Sequence, residues 1–242
     1  MKTFSITDIG SVRKVNQDYV FCYDNPVGQL SNLFLVADGM GGHQAGDYAS
    51  RLCVETVANA VKNSRLRSPI SILEAAIQEG NMAVFRDAEK EETLYGMGTT
   101  MVAATVIGRE VYIANIGDSR AYLIRDGIHQ ITEDHSLVEE MIRSGDLERK
   151  DAKSHPNKNV ITRAIGTSAI VQADFCELEV KEEDVLLLCT DGLTNMLDDE
   201  EILSIIKEKT NLEAAGNELV RAANANGGKD NIGIVLIQIK IE

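Results

Sequence analysis

Proline occurs only three times, at Pro26, Pro69 and Pro156. No Pro/Gly/Ser-rich tract, low-complexity segment or repeat divides the chain, so the 242 residues read as one domain over 1–242. The four cysteines, Cys22, Cys53, Cys176 and Cys189, share no paired spacing. That argues against a disulfide framework, and with the scattered histidines it leaves no zinc-type cluster; three of the four lie in apolar runs, as buried free thiols of a reducing cytoplasm would. No apolar run approaches the roughly 20 residues of a membrane span. Lys2 is followed by Thr3-Phe4-Ser5-Ile6-Thr7-Asp8, without the apolar segment of a signal peptide. Basic residues are in deficit, with Lys+Arg 24 against Asp+Glu 38 and a net charge of −14. Non-specific affinity for nucleic acid or an anionic membrane is therefore not expected. What is present is ordinary for a globular chain, 44% hydrophobic and 26% charged residues, and long enough to bury a substantial core.

Alternation, apolar runs and turn residues predict strands at about 2–8, 18–23, 32–37, 99–107, 110–116, 120–125, 128–131, 171–178, 184–189 and 232–240. Asp126-Gly127 and, more weakly, Gly108-Arg109 read as hairpin turns. Helical spacing predicts helices at about 46–62, 70–90, 136–144, 199–208 and 212–225. Ser68-Pro69, Asp198 with Glu201, and Asn211 supply start signals for three of these. The strands come in meandering groups and the two long helices are consecutive. That order favours stacked antiparallel sheets with helices packed outside over a parallel sheet. Residues 143–160 are polar and weakly periodic, the mark of a mobile loop or a functional flap.

Acidic residues recur where strands meet turns. Val36-Ala37 runs into Asp38-Gly39, Ile116-Gly117 into Asp118, Cys189-Thr190 into Asp191-Gly192, and Gly228-Lys229-Asp230-Asn231 leads into the last strand. Singly, each reads as a solvated turn. Jointly they read otherwise, because adjacent sheet ends can bring such carboxylates together, and their repulsion then calls for cations. All-oxygen ligands suit Mg²⁺ or Mn²⁺ over Zn²⁺. A site holding two such ions lowers the pKa of a water and directs it in line at phosphorus.

The ordered set of segments Asp8-Ile9-Gly10 to Arg13 to Asn16-Gln17-Asp18, Val36-Ala37-Asp38-Gly39-Met40-Gly41-Gly42-His43, Gly96-Met97-Gly98-Thr99-Thr100, Ile116-Gly117-Asp118-Ser119-Arg120-Ala121-Tyr122, Asp134-His135-Ser136-Leu137-Val138, Val160-Ile161-Thr162-Arg163-Ala164-Ile165-Gly166, Cys189-Thr190-Asp191-Gly192-Leu193 and Gly228-Lys229-Asp230-Asn231-Ile232 resembles the metal-dependent protein phosphatases, the type 2C Ser/Thr phosphatases, in their compact bacterial form. The resemblance spans nearly the whole chain, with no catalytic position missing.

It implies an α+β fold, a four-layer α-β-β-α sandwich of two antiparallel sheets flanked by helices. It implies two Mn²⁺ or Mg²⁺ ions bridged by Asp38. The Gly39 carbonyl completes the first site, with Asp18 behind it through water; Asp191 and Asp230 hold the second ion with Asp38. Asp118, with Asp191, matches a third-metal site. Arg13 matches the phosphate-binding arginine, whose planar fork suits a phosphate monoester, and His43 the general acid for the departing serine or threonine oxygen. The flap matches about 143–160. The implied substrates are phosphorylated proteins, the functional opponent a bacterial Ser/Thr protein kinase, the state a cytoplasmic monomer.

The remaining residues carry blander expectations: His135 and His155 structural or solvated, His129 solvated, Asp134 a cap for the helix begun by Ser136, Met40 and Met97 packing, and the 96–100 turn lying under the metal loop. Two other functions stay open at this point, a docking module that keeps the fold and a metallohydrolase of small phosphorylated metabolites. A nucleotide site is disfavoured, because no Gly-Lys-Ser/Thr loop or complete GxGxxG follows a strand.

Overall fold

The computed structural model describes residues 1–42 and 45–240, with the backbone alone at 153 and 154. Eleven strands among them form two antiparallel sheets. The first runs in the order β1 (Lys2–Asp8), β11 (Ile232–Gln238), β10 (Val185–Cys189), β7 (Arg120–Ile124), β8 (Ile128–Gln130). The second runs β2 (Asp18–Tyr23), β3 (Leu33–Met40), β5 (Met101–Ile107), β6 (Glu110–Ile116), β9 (Asp174–Glu179), with β4 (Gly98–Thr99) added to the end of β3. Helices α1 (Ala45–Asn63) and α2 (Pro69–Lys90) cover the second sheet, and α4 (Asp191–Thr194), α5 (Asp199–Glu208) and α6 (Leu212–Ala225) cover the first; α3 (Leu137–Ser144) follows β8.

Why the central strands are apolar throughout follows from their burial on both faces. Along β3, Leu33, Leu35 and Ala37 join the core under α1 and α2, while Phe34 and Val36 point between the sheets. Along β10, Val185, Leu187 and Cys189 face the other helices, and Leu186 and Leu188 meet Phe34 and Val36 in the middle seam. Three apolar seams thus separate four layers, α-β-β-α, as the resemblance implied.

The sequence signals at element boundaries held in most places. Asp198 and Glu201 form a reciprocal capping box, and Asn211 accepts from Ala214 N–H at 2.8 Å. Arg125 N–H donates to Gly127 O at 3.0 Å across the β7–β8 turn. Other details differ. The Ser68 side chain makes no cap bond, and α2 starts on Pro69, whose fixed φ suits the first helical position. β3 runs on to Met40 because β4 pairs with it there, Gly39 opposite Thr99 and Met40 opposite Gly98. The strand expected from 171 begins at Asp174, where it first meets Asn115. Within 143–160 a 3₁₀ helix, Arg149–Ser154, interrupts the expected loop.

Asp134 is not the cap of α3. Ser136 is, accepting from Glu139 N–H. Asp134 instead takes the guanidinium of Arg120 in a bidentate grip, with Nε–Oδ1 at 2.9 Å and Nη2–Oδ2 at 2.7 Å. Arg120 also donates to the Tyr122 hydroxyl. Because both partners are largely buried, removing one strands the other. Asp134→Ala is therefore expected to lower stability by about 3 kcal/mol, read as a fall in the urea midpoint at unchanged slope.

The cysteines are all free, but only Cys53 and Cys189 are fully buried; Cys22 and Cys176 are half-buried. Among the described residues no helix is long and apolar enough to cross a membrane.

Candidate metal centre

The two sheets present the same end to one cleft. Asp18 opens β2 and is registered directly against Asp38 near the end of β3. On the other sheet, β10 ends at Cys189 and β11 starts at Ile232, so Asp191 and Asp230 flank the same edge. Asp118 lies in the turn between β6 and β7, the link from one sheet to the other. The resulting cleft, about 180 Å³, is lined by Arg13, Asp38, Met40, Thr100, Asp118, Asn159, Ile161, Asp191 and Asp230.

Backbone hydrogen bonds fix the parts. Asp38 N–H donates to Thr100 Oγ1 at 2.9 Å, and Asp38 O accepts from Thr100 N–H and from Thr99 Oγ1, each at 2.9 Å. The 96–100 turn therefore clamps the residue it was expected to underlie. Gly39 N–H donates to Gln17 O at 3.0 Å. A Cβ on Gly39 would lie 2.0 Å from Gly46 O, so only glycine lets α1 approach the loop this closely. Gly192 is under the same demand, since its Cβ would fall 1.8 Å from Asn231 O. Asp191 opens the one-turn helix α4 instead of ending a strand, and Asn195 donates to its Oδ2 at 2.8 Å.

Burial and mutual repulsion act on the acids together. Burial, then Asp18 and Asp191, push the Asp38 carboxyl well above its ordinary range. Burial likewise raises Asp18, against the opposing bond from Thr190. Asp191 is pushed up to about 6 by burial and by Asp230, and Asp118 to about 7 by burial and by Asp191. These are carboxylates held where their charge is poorly solvated, and a nearby cation reverses that cost.

The donor set fits hard divalent cations. Every candidate ligand is oxygen. Asp18 Oδ1 and Asp191 Oδ1 are buried without a hydrogen-bond partner, an expensive arrangement unless a positive group meets them. Among the described residues, however, no three His, Cys, Asp or Glu side chains stand close enough to hold an ion by themselves. One reason is visible: Arg13 draws Asp230 towards itself, Nη2–Oδ2 2.6 Å. The two residues expected to hold phosphate and metal separately are here each other's partner. Arg13 is half exposed, on a turn held by bonds from Ser11 and Val12 N–H to Gly228 O.

Of the expected site residues, the structure gathers Asp38, Asp118, Asp191, Asp230 and Arg13 around one cleft, with Asp18 buried behind it. His43 lies outside the described residues. Sequence reading assigned no role to Thr190, which bridges the sheets by donating to Asp18 Oδ2 at 2.8 Å while accepting from Gly233 N–H at 2.7 Å. Nor did it assign one to Asn231, which accepts from Gln17 N–H and donates to Ile9 O and Val15 O. Their partners lie far away in the chain, so no local pattern could reveal them.

Residues 3–232 match the family described as Protein phosphatase 2C. The chain belongs to that family, and its fold is of that kind. The chain is similar to the serine/threonine phosphatase stp of Listeria monocytogenes, 41% identical over 96% of this chain and 93% of the relative. Among solved structures it is similar to the serine/threonine phosphatase of S. agalactiae, with a TM-score of 0.92, 33% identity and 99% of each chain covered. A further similar structure is the catalytic domain of the serine/threonine protein phosphatase PstP in complex with two manganese ions, at a TM-score of 0.86 and 32% identity, covering 99% of this chain and 98% of that one.

Proposed function

We propose that this chain is a metal-dependent phosphatase of phosphoserine and phosphothreonine in proteins, working at a binuclear Mn²⁺ or Mg²⁺ centre. The observation that carries this reading is the pair of orphaned, buried carboxylate oxygens, Asp191 Oδ1 in the acidic cleft beside Arg13 and Asp18 Oδ1 behind it. Asp38, the Gly39 carbonyl, Asp191 and Asp230 would hold the two ions, with Asp18 behind through water and Asp118 with Asp191 for a third. When bound, such ions supply a water of lowered pKa and neutralise phosphate charge.

The chain's own groups do the rest. Asp38, clamped by Thr99 and Thr100, keeps its carboxylate at the centre of the cleft. Arg13, half exposed and tethered by its turn, exchanges Asp230 for the phosphate oxygens of a bound monoester, which its fork matches in a bidentate way. His43 donates the proton to the departing serine or threonine oxygen, and the 143–160 segment serves as a flap within a single catalytic domain. The relatives' names as serine/threonine phosphatases support the choice of substrate class. In the cell the enzyme opposes a Ser/Thr protein kinase and works as a cytoplasmic monomer.

The test is phosphate release from a phosphothreonine peptide with Mn²⁺ against EDTA, beside sugar and nucleotide phosphates. Mn²⁺-dependent release that favours the peptide is expected; preference for a small phosphate overturns the protein-substrate reading. In the same assay Arg13→Ala should raise KM by roughly 10–100-fold, the worth of one or two charge-assisted hydrogen bonds.

A further inference from the structure

His135 is buried and uses all its polar atoms. Its backbone N–H donates to Gly117 O at 2.9 Å, and its ring Nδ1 accepts from Gly117 N–H at 3.1 Å. Gly117 is thus held from both sides by one residue. Its φ of +103° and the Thr100 side chain, which a Cβ would meet at 2.6 Å, admit only glycine there. The next residue is Asp118. On its other side Ser119 is hydrogen-bonded to Thr100 at 2.8 Å, and Thr100 holds Asp38. Asp118 therefore hangs between two buried clamps, and His135 makes one of them.

The bond from Gly117 sets the tautomer. Nδ1 must be bare to accept from Gly117, so Nε2 carries the hydrogen and donates to Asp174 Oδ2 at 3.0 Å. Arg163 holds the second oxygen, Asp174 Oδ1, at 2.7 Å. Thr162 N–H donates to His135 O at 2.8 Å, which ties the same residue to the segment carrying Ile161 at the cleft.

We propose that His135, oriented by Asp174, is a positioning residue that fixes Asp118 for its metal. The inference rests on the reading of Asp118 as a metal ligand. Partners that orient the ligands of a metal typically matter by 10–100-fold in its affinity.

The experiment is calorimetric Mn²⁺ titration of the full-length protein. His135→Leu removes both ring bonds at similar volume; the expected result is a roughly tenfold loss of affinity in the weakest class of Mn²⁺ sites, with the tighter class unchanged. His135→Asn, whose Oδ1 can still accept from Gly117 N–H, should restore most of that affinity. Combining His135→Leu with Asp118→Asn should cost no more than Asp118→Asn alone, as expected of two residues acting through one site. A merely structural role would lower the melting temperature and leave the isotherm alone. An unchanged isotherm, or additive losses in the double variant, overturns the proposal. If His135→Leu does not fold, Asp174→Ala, at a half-exposed position, carries the test with the same expected direction and the same overturning result. The metal reading fails separately: that would appear as wild-type Mn²⁺ binding that Asp38→Asn leaves untouched.

Discussion

Asp38→Asn should release phosphate from a phosphothreonine peptide at less than about one hundredth of the wild-type rate at any Mn²⁺ concentration. Even residues that only support a metal's ligands cost 10–100-fold when removed, and Asp38 stands at the middle of the acidic group. It feels Asp18, Asp191, Asp118 and Asp230 at once. The substitution keeps the shape, and the backbone clamps from Thr99 and Thr100 do not involve the carboxylate. Circular dichroism should therefore be unchanged. A variant that keeps metal-dependent turnover would remove Asp38 from the chemistry.

Without metal the same acids should destabilise the fold at neutral pH. The folded-state values of Asp191, about 6, and Asp118, about 7, lie above the roughly 3.9 of an unfolded aspartate. The folded chain then binds more protons than the unfolded one, so with respect to these groups stability is greatest below about pH 4 and declines as pH rises through 6 to 7. A tenfold change in proton affinity is about 1.4 kcal/mol, which makes the combined cost several kcal/mol. In EDTA the melting temperature should fall between pH 5 and 7. Asp191→Asn should then raise it at pH 7 by about 2–4 °C for each kcal/mol relieved. With Mn²⁺ in excess the order should invert, wild type becoming the more stable. An EDTA melting temperature that climbs steadily from pH 5 to 7, with no gain from Asp191→Asn, would show that the carboxylates are not crowded as described.

The layering of the fold was legible because its physics is local. Strands buried on both faces are continuous apolar runs, as at 185–189 and 232–238, and the consecutive helices 69–90 and 45–63 leave no room for a parallel sheet. The acids were legible because an aspartate at the mouth of such a run is conspicuous. Asp38, Asp118, Asp191 and Asp230 line one cleft, and what they hold is a proposal. What escaped notice depends on distant pairing. Asp134 looked like a cap because Ser136 is two residues away, yet Arg120 claims it. His135 read only as structural or solvated, because its partners Gly117 and Asp174, 18 and 39 residues off, give no local sign. The bond between Arg13 and Asp230 joins the two ends of the chain, 217 residues apart, and only the meeting of β1 with β11 makes it possible.

Anomalous diffraction at the manganese edge, from crystals grown with Mn²⁺, would locate the ions themselves. At least two peaks are expected in the cleft, two of them touching Asp38 and one of these also touching Asp191 and Asp230, with Arg13 turned away from Asp230. A cleft without anomalous density, with Arg13 still on Asp230 at saturating Mn²⁺, would contradict it.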